Sequence, residues 1–258
     1  MFRKPHDVDI LIRGSDHLDL TRELLYSLRQ WTPAPSYHIT YVDNGSPRAA
    51  LQNLMSHDPD CTYVSLPFNH GSVRAINIGL SLALLNDAPY IVLLDNDTQI
   101  PAGDTEWLAR FVAHLKGNVA AAGAVTDYAA GLQNCELNSD TYTIDWQDRE
   151  GDSGKAGPYK AAALVSFALA LRKDAVRKVG LFDELYEPGN FEDYDYSVQL
   201  RQAGYECVVA QDVWVHHKGS QTFKTLNFEQ LYFENGRKFV EKWGADTLRV
   251  LGIQAVTQ

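Results

Sequence analysis

Two aspartates two positions apart, Asp95 and Asp97, close the apolar run Tyr90-Ile91-Val92-Leu93-Leu94. On an extended backbone, side chains at i and i+2 point the same way, so both carboxylates can reach one hard cation. Mg²⁺ or Mn²⁺ held by one or two carboxylates keeps coordination positions for substrate phosphates. A second acidic group, Glu192-Asp193-Tyr194-Asp195, reads as the first turn of a helix. Helical spacing puts Glu192 and Asp195 on one face and turns Asp193 about 100° away, so the three carboxylates cannot all do one job. A carboxylate at a cleft that is free to take a proton is a candidate general base. The same residues would also complement the dipole at a helix start. His216 and His217 end a short β-like run, and strand alternation lets at most one of them face a given site.

Such groups need rigid elements to position them, and the first half of the chain supplies a regular alternation. Val8 to Ile12 reads as a strand, followed by a helix with Leu18, Leu24, Leu25, Leu28 and Trp31 on one face and Ser15 or Asp16 available as its cap. Strands follow at Tyr37 to Val42, Thr62 to Leu66 and Tyr90 to Leu94, with helices near Pro47 to Met55 and Ser72 to Leu85 between them. The run at Tyr90 is apolar on both faces, as a central parallel strand must be. This order predicts an α/β fold, a single domain with a mostly parallel central sheet, whose ligands bind at the carboxyl ends of the strands.

After the strand Val119 to Val125 the pattern changes. Asp127 to Lys160 contains 7 acidic and 3 basic residues with little periodicity. A structureless span longer than about 12–15 residues is uncommon in a compact domain unless it is functional. Its Tyr128, Tyr142, Trp146 and Tyr159 could offer flat faces to a substrate or simply pack onto the body. Regular structure resumes from Ala161 to Leu171, with a short helix to Val179 and another from Glu192 to Gly204. Strands at Cys207 to Val209 and Val213 to His216 follow, then a helix with Phe228, Leu231, Tyr232, Asn235 and Phe239 on one side.

Composition excludes several classes. With 33 acidic and 23 basic residues the formal charge is −10, which argues against a broad electrostatic grip on nucleic acid or anionic lipid. Cys61, Cys135 and Cys207 are too far apart for a CxxC or metal pattern and fit reduced thiols. There is no signal-peptide core and no apolar run near the ~20 residues of a membrane span, so a cytoplasmic protein, with peripheral membrane contact left open, is expected. No Gly-rich phosphate loop of the dinucleotide or P-loop kind is present. A haloacid-dehalogenase phosphatase also sets DxD after a strand, but it wants Thr two residues beyond the second Asp, whereas Thr98 follows at once, and its motif opens the domain.

Taken in order, these motifs resemble the GT-A glycosyltransferases of the family 2 type, from about Val8 to Phe223. Asp19-Leu20-Thr21-Arg22 and Leu25-Tyr26-Ser27-Leu28 are similar to the family's opening helix. Tyr41-Val42-Asp43-Asn44-Gly45-Ser46 is similar to its VDNGS turn, and Asn69-His70-Gly71 through Asn77-Ile78-Gly79 to its NxG…NxG helix. Asp95 and Asp97 match its metal motif, Glu192-Asp193 with Leu200 and Gly204-Tyr205 its EDxDxxxRLxxxGY motif, and His217, or else His216, its late metal-binding histidine. Two departures stand out. Arg13-Gly14-Ser15-Asp16 replaces the usual Pro and Tyr-Asn after the first strand, and Phe191 replaces Gly or Trp before the ED pair.

The resemblance implies a GT-A, Rossmann-like domain and inverting transfer of a sugar from a UDP-, GDP- or dTDP-sugar to a hydroxyl, with Mn²⁺ or Mg²⁺. It implies that Asp43, Asn44, Gly71, Arg74 and Asn77 serve the nucleotide, with Arg13 available to a phosphate. Asp95 would reach the ribose or the cation, Asp97 the cation with His217, and Asp193 would be the base beside Glu192. Residues 1–125 become a nucleotide-sugar-binding half and 126–258 an acceptor-binding half, in which 127–160 is the acceptor loop. Glycan, lipid, protein and modified nucleic acid remain open as acceptors. A sugar nucleotidyltransferase and a non-catalytic sugar-nucleotide-binding protein are the alternatives on this fold.

Overall fold

Strand β1 (Val8–Gly14) is buried at nearly every position, and the reason lies in its place between two parallel neighbours. These are β2 (Tyr37–Asn44) and β4 (Tyr90–Asp95), and β3 (Thr62–Leu66) adds to the outer side of β2. In the computed structural model, which describes residues 6–138, 143–145, 158–219 and 228–252, one eight-stranded sheet runs in the order β3-β2-β1-β4-β10-β6-β11-β9. Strands β6 (Val119–Val125) and β11 (Glu206–Trp214) are parallel to each other. Strand β10 (Ala168–Arg172) lies between β4 and β6 and is antiparallel to both, and β9 (Tyr159–Ala161) is antiparallel to β11. The result is a single α/β domain with a mixed, mostly parallel sheet.

Alternation along the central strands divides the core between two helical layers. Ile10, Ile12, Val92 and Leu94 face α1 (Leu18–Trp31) and α4 (Trp107–Ala113) through Leu24, Leu28, Trp107 and Phe111. Leu11, Ile91, Leu93 and Leu171 face α3 (Ser72–Ala83) and α5 (Lys173–Val179) through Val73, Leu80 and Val176, joined by Leu200 of α6 (Glu192–Gln202). Each such side chain contributes about 1.5–3 kcal/mol on full burial. A third cluster joins Tyr186, Phe191 and Val198 to Phe239 of α7 (Phe228–Trp243) and Leu248 of α8 (Ala245–Val250). Helix α2 (Arg48–His57) packs on α1.

Several expectations are corrected. Helix α1 starts without a side-chain cap: Asp16 and His17 turn through positive φ, and neither Ser15 nor Asp16 caps it. Strand β2 runs on through Asp43 and Asn44 instead of stopping before them. The two strands expected from Cys207 are one, irregular between Ala210 and Trp214. The stretch from Ala161 to Leu171 is instead the end of β9, an irregular link and β10. The span 127–160 contains the hairpin β7 (Glu136–Asn138) and β8 (Thr143–Asp145) as well as most of β9. Tyr159 packs against the core, while Tyr142 and Trp146 lie outside the described residues.

Candidate functional site

Where β1, β2 and β4 end, the sheet opens into a cavity of about 620 Å³. The DxD turn lies on its floor and is pinned from four directions. Asp95 N donates to Phe167 O at 2.8 Å and Asn96 N to Arg13 O at 3.2 Å. Thr98 Oγ1 donates to Asp95 O at 2.7 Å, and Lys218 N to Asp97 O at 3.0 Å. The last of these adjoins a second, two-stranded sheet: β5 (Thr98–Gln99) pairs antiparallel with β12 (His216–His217), setting His217 opposite Thr98. That register brings His217, not His216, to the aspartates.

One ligand atom each from Asp95, Asp97 and His217 lies within 4.8 Å of the others, the one such group among the described residues. His217 Nδ1 is 2.7 Å from Tyr128 O, which can only accept, so this nitrogen carries the proton. The other, Nε2, stands 3.4 Å from Asp97 Oδ1, and in the neutral ring its lone pair faces the carboxylates. Phe167 stacks on the imidazole at 4.9 Å and 10°, fixing its plane. Two carboxylate oxygens and one imidazole nitrogen, the ring oriented by the carbonyl behind it, form a donor set that a divalent cation can use. His216 instead lies beside Asp127 at 3.7 Å and stacks on Trp214.

Electrostatics agree with a site that expects positive charge. Burial pushes the Asp95 carboxyl up, against the pull of Arg13, whose Nη2 lies 2.8 Å from its Oδ1. Burial alone would lower His217, but the hydrogen bond to Asp97 and both aspartate charges raise it.

The same cavity is lined by Glu192 and Asp193, at the start of α6. Both are pushed up by burial, Glu192 further because the Asp193 charge lies beside it. Asp193 Oδ1 accepts from Tyr194 N at 2.8 Å and Oδ2 from Ser166 N at 3.3 Å, so its position is fixed from two sides. One Glu192 oxygen, Oε2, is buried without a partner. The backbone enters α6 through Asn190 and Phe191, both at positive φ (72° and 73°), a cost of about 1–3 kcal/mol each.

The face argument for this turn is corrected by the structure. Asp195 is fully buried away from the cavity, where it accepts from Tyr186 Oη (3.1 Å) and Trp243 Nε1 (2.6 Å) and pairs with Lys242 (2.8 Å). It anchors α7, while Glu192 and Asp193 line the cavity together. At a helix end the cavity wraps around the first turn, so the 100° separation does not divide them.

The residues drawn from the resemblance separate into two groups. Arg13, Asn44 and Gly71 line the cavity. Asn44 ties down the loop before α3, donating to Gly71 O at 2.9 Å and accepting from His70 N at 2.8 Å. Asp43, Arg74 and Asn77 do not line it. Asp43 is buried beneath, with Oδ2 accepting from Ser46 N and Ser65 Oγ and Oδ1 unpartnered. Arg74 is turned to Glu184 at 2.7 Å, and Asn77 clasps Phe182 through both its backbone groups at 2.9 and 3.0 Å. Ser166 and Phe167 escaped sequence reading, since the approach to an antiparallel strand leaves no motif, and Tyr128, singled out for its ring, orients His217 through its carbonyl instead.

Comparison with known proteins places this arrangement. The solved mannosyltransferase PcManGT from Pyrobaculum calidifontis, in complex with GDP-Man and Mn²⁺, aligns with TM-score 0.65 at 16% identity, over 98% of this chain and 70% of that one. GalNAc-T7 with UDP, GalNAc and Mn²⁺ aligns with TM-score 0.70 at 16% identity over 94% of this chain, which spans 49% of that one. S. aureus TarS 1-349 gives 0.60 at 14% over 95% and 69%. At these identities the likeness is one of fold. No curated protein sequence gives a significant match. The profile for glycosyl transferase family 2 matches residues 17–180, more than half of the chain. A match of that extent, on a domain with this sheet order, settles the family: the chain belongs to glycosyl transferase family 2 and is a glycosyltransferase on a GT-A fold.

Proposed function

We propose that the protein transfers a sugar from a nucleoside-diphosphate donor, a UDP-, GDP- or dTDP-sugar, to an acceptor hydroxyl with inversion at the anomeric carbon. The observation that carries this reading is that one cavity is lined both by the Asp95–Asp97–His217 group and by the Glu192–Asp193 pair. The neighbours solved with GDP-Man or UDP and Mn²⁺ support the choice of donor and ion. Asp95, Asp97 and His217 would hold Mn²⁺ or Mg²⁺, which supplies Lewis-acid stabilisation of charge on the leaving diphosphate. Arg13 adds a fixed positive charge at the same floor, and Asn44 with Gly71 shapes the donor end. Asp193 takes the acceptor proton onto a carboxylate oxygen, and Glu192, which keeps its own proton to higher pH, leaves that role to its neighbour.

Residues 1–125 thus serve the nucleotide sugar and 126–258 the acceptor, with the span 127–160 selecting among glycan, lipid, protein or nucleic-acid hydroxyls. Incubation with a panel of UDP-, GDP- and dTDP-sugars plus Mn²⁺ should release nucleoside diphosphate from one of them, and chelation should stop the release. Absence of both release and binding across the panel would reject the donor assignment. Pyrophosphate release from a nucleoside triphosphate and a sugar phosphate would identify a nucleotidyltransferase, a reading disfavoured by Arg13-Gly14-Ser15-Asp16, a poor version of the Gly-rich basic loop that a triphosphate needs.

A further inference from the structure

The turn that delivers Glu192 and Asp193 cannot fix itself. Phe191, at the N-cap of α6, has no side chain able to accept from the helix, and two successive residues, Asn190 and Phe191, sit at positive φ. Such a conformation persists only where surrounding groups over-determine it. The carbonyls of Tyr186, Gly189 and Asn190 converge beneath α7, where a buried oxygen needs a donor.

One side chain meets all three. Asn235 of α7 is fully buried, and the two protons on its Nδ2 are shared among Gly189 O at 2.7 Å, Tyr186 O at 2.9 Å and, more weakly, Asn190 O at 3.2 Å. Its orientation is determined by chemistry: Lys238 Nζ, which has only protons to give, lies 2.7 Å from Oδ1, so the amide nitrogen must face the carbonyls. Helix α7 is itself locked to α6 through Trp243 and Lys242 on Asp195. The other flank of the turn is fixed to α3, where Glu187 Oε1 accepts from Arg74 N at 2.6 Å and Ser72 N donates to Pro188 O at 3.1 Å.

We propose that Asn235 is a positioning residue for the reaction: by gathering the carbonyls of Tyr186, Gly189 and Asn190, it sets the place of the Asp193 carboxylate in the cavity. This rests on the reading of Asp193 as the base. Asn235 touches no substrate, so its removal acts on the turnover step and leaves donor binding alone. A displacement of about 1 Å at a reacting group can cost about 10²-fold in rate.

The test is a cycle of Asn235→Ala, Asp193→Asn and the double variant, read with the active donor of the panel, alongside calorimetric binding of Mn²⁺ with UDP or GDP. Asn235→Ala should lower kcat by about 10²-fold at unchanged donor KM and unchanged nucleotide binding. Within the Asp193→Asn background it should produce no further loss, because residues acting through one group are not additive. If Asn235→Ala does not fold, Lys238→Met at its half-exposed position keeps the amide and removes the cation that orients it, along with that cation's hydrogen bond to Leu185 O at 3.0 Å. A several-fold fall in kcat at constant KM, absent in the Asp193→Asn background, is then expected. A wild-type kcat, a matching fall in nucleotide affinity, or a loss that multiplies with Asp193→Asn overturns the inference alone. Full turnover by Asp193→Asn overturns the base assignment first and this inference with it.

Discussion

Glu192 and Asp193 share one helical turn and compete for ionisation, which gives the chemistry a measurable pH signature. Burial pushes Asp193 up to about 6. A base works when deprotonated, so kcat/KM should fall as pH drops through that region, well above the ordinary carboxylate range. Asp193→Asn should cost about 10²–10⁴-fold in kcat and abolish this acid limb, both read from pH–rate profiles. At this scale the sequence spoke clearly where a group and its backbone lie together. Asp95 and Asp97 adjoin the strand that positions them. What Arg74 and Asn77 contact could not be read, because their partners Glu184 and Phe182 lie 110 and 105 positions away. Asn235 was legible only as one member of a helix face, since its meaning comes from carbonyls that a distant turn assembles.

Among the elements, α3 shows how one position serves two parts of the fold. Gly71 precedes it at φ 94°, and a Cβ there would stand 1.7 Å from Glu187 Oε2. Gly71→Ala must therefore expel the Glu187 carboxylate and also strain the backbone. A loss of about 2–4 kcal/mol is expected, measured by denaturant unfolding. Glu187→Ala itself removes the hydrogen bond from Arg74 N, so the comparison is made within that background, where the added cost of Gly71→Ala should shrink to the part due to φ. Strand positions were readable because burial on both faces demands apolar runs. The direction of β10 was not, since an apolar pentapeptide reads the same in a parallel or an antiparallel place. That direction matters: it sets Ser166 against Asp193 and Phe167 against His217.

For the molecule as a whole, the charge of −10 finds a partial home in the cavity. Asp95, Asp97, Asp127, Glu192 and Asp193 line it, whereas Asp43 lies below and Asp195 is spent on α7. Burial pushes Asp95 up to about 6, above its unfolded value, so the stability it contributes is complete at low pH and is lost as pH rises through 6. A bound cation reverses this, but it must displace the proton when pH is low. Mn²⁺ at about 100 times its Kd should raise Tm by about 5–10 °C at pH 8, and by less at pH 5, in a thermal scan. No helix among the described residues is long and apolar enough to cross a membrane.

The reversed strand β10 also bears on how this enzyme could diversify. Because it runs against β6, the chain leaves β6 at Val125 and enters β10 at Ala168 at the same end of the sheet, beside the cavity, adding β9 to the far edge on the way. A segment whose two anchors are both fixed by the sheet can lengthen cheaply: doubling a flexible loop costs only about 0.6 kcal/mol in closure entropy. On the proposed acceptor role of this span, exchange confined to the residues between Tyr128, whose carbonyl orients His217, and Ser166, which holds Asp193, is expected to change acceptor preference while the donor floor and the Asn235 clasp stay as they are.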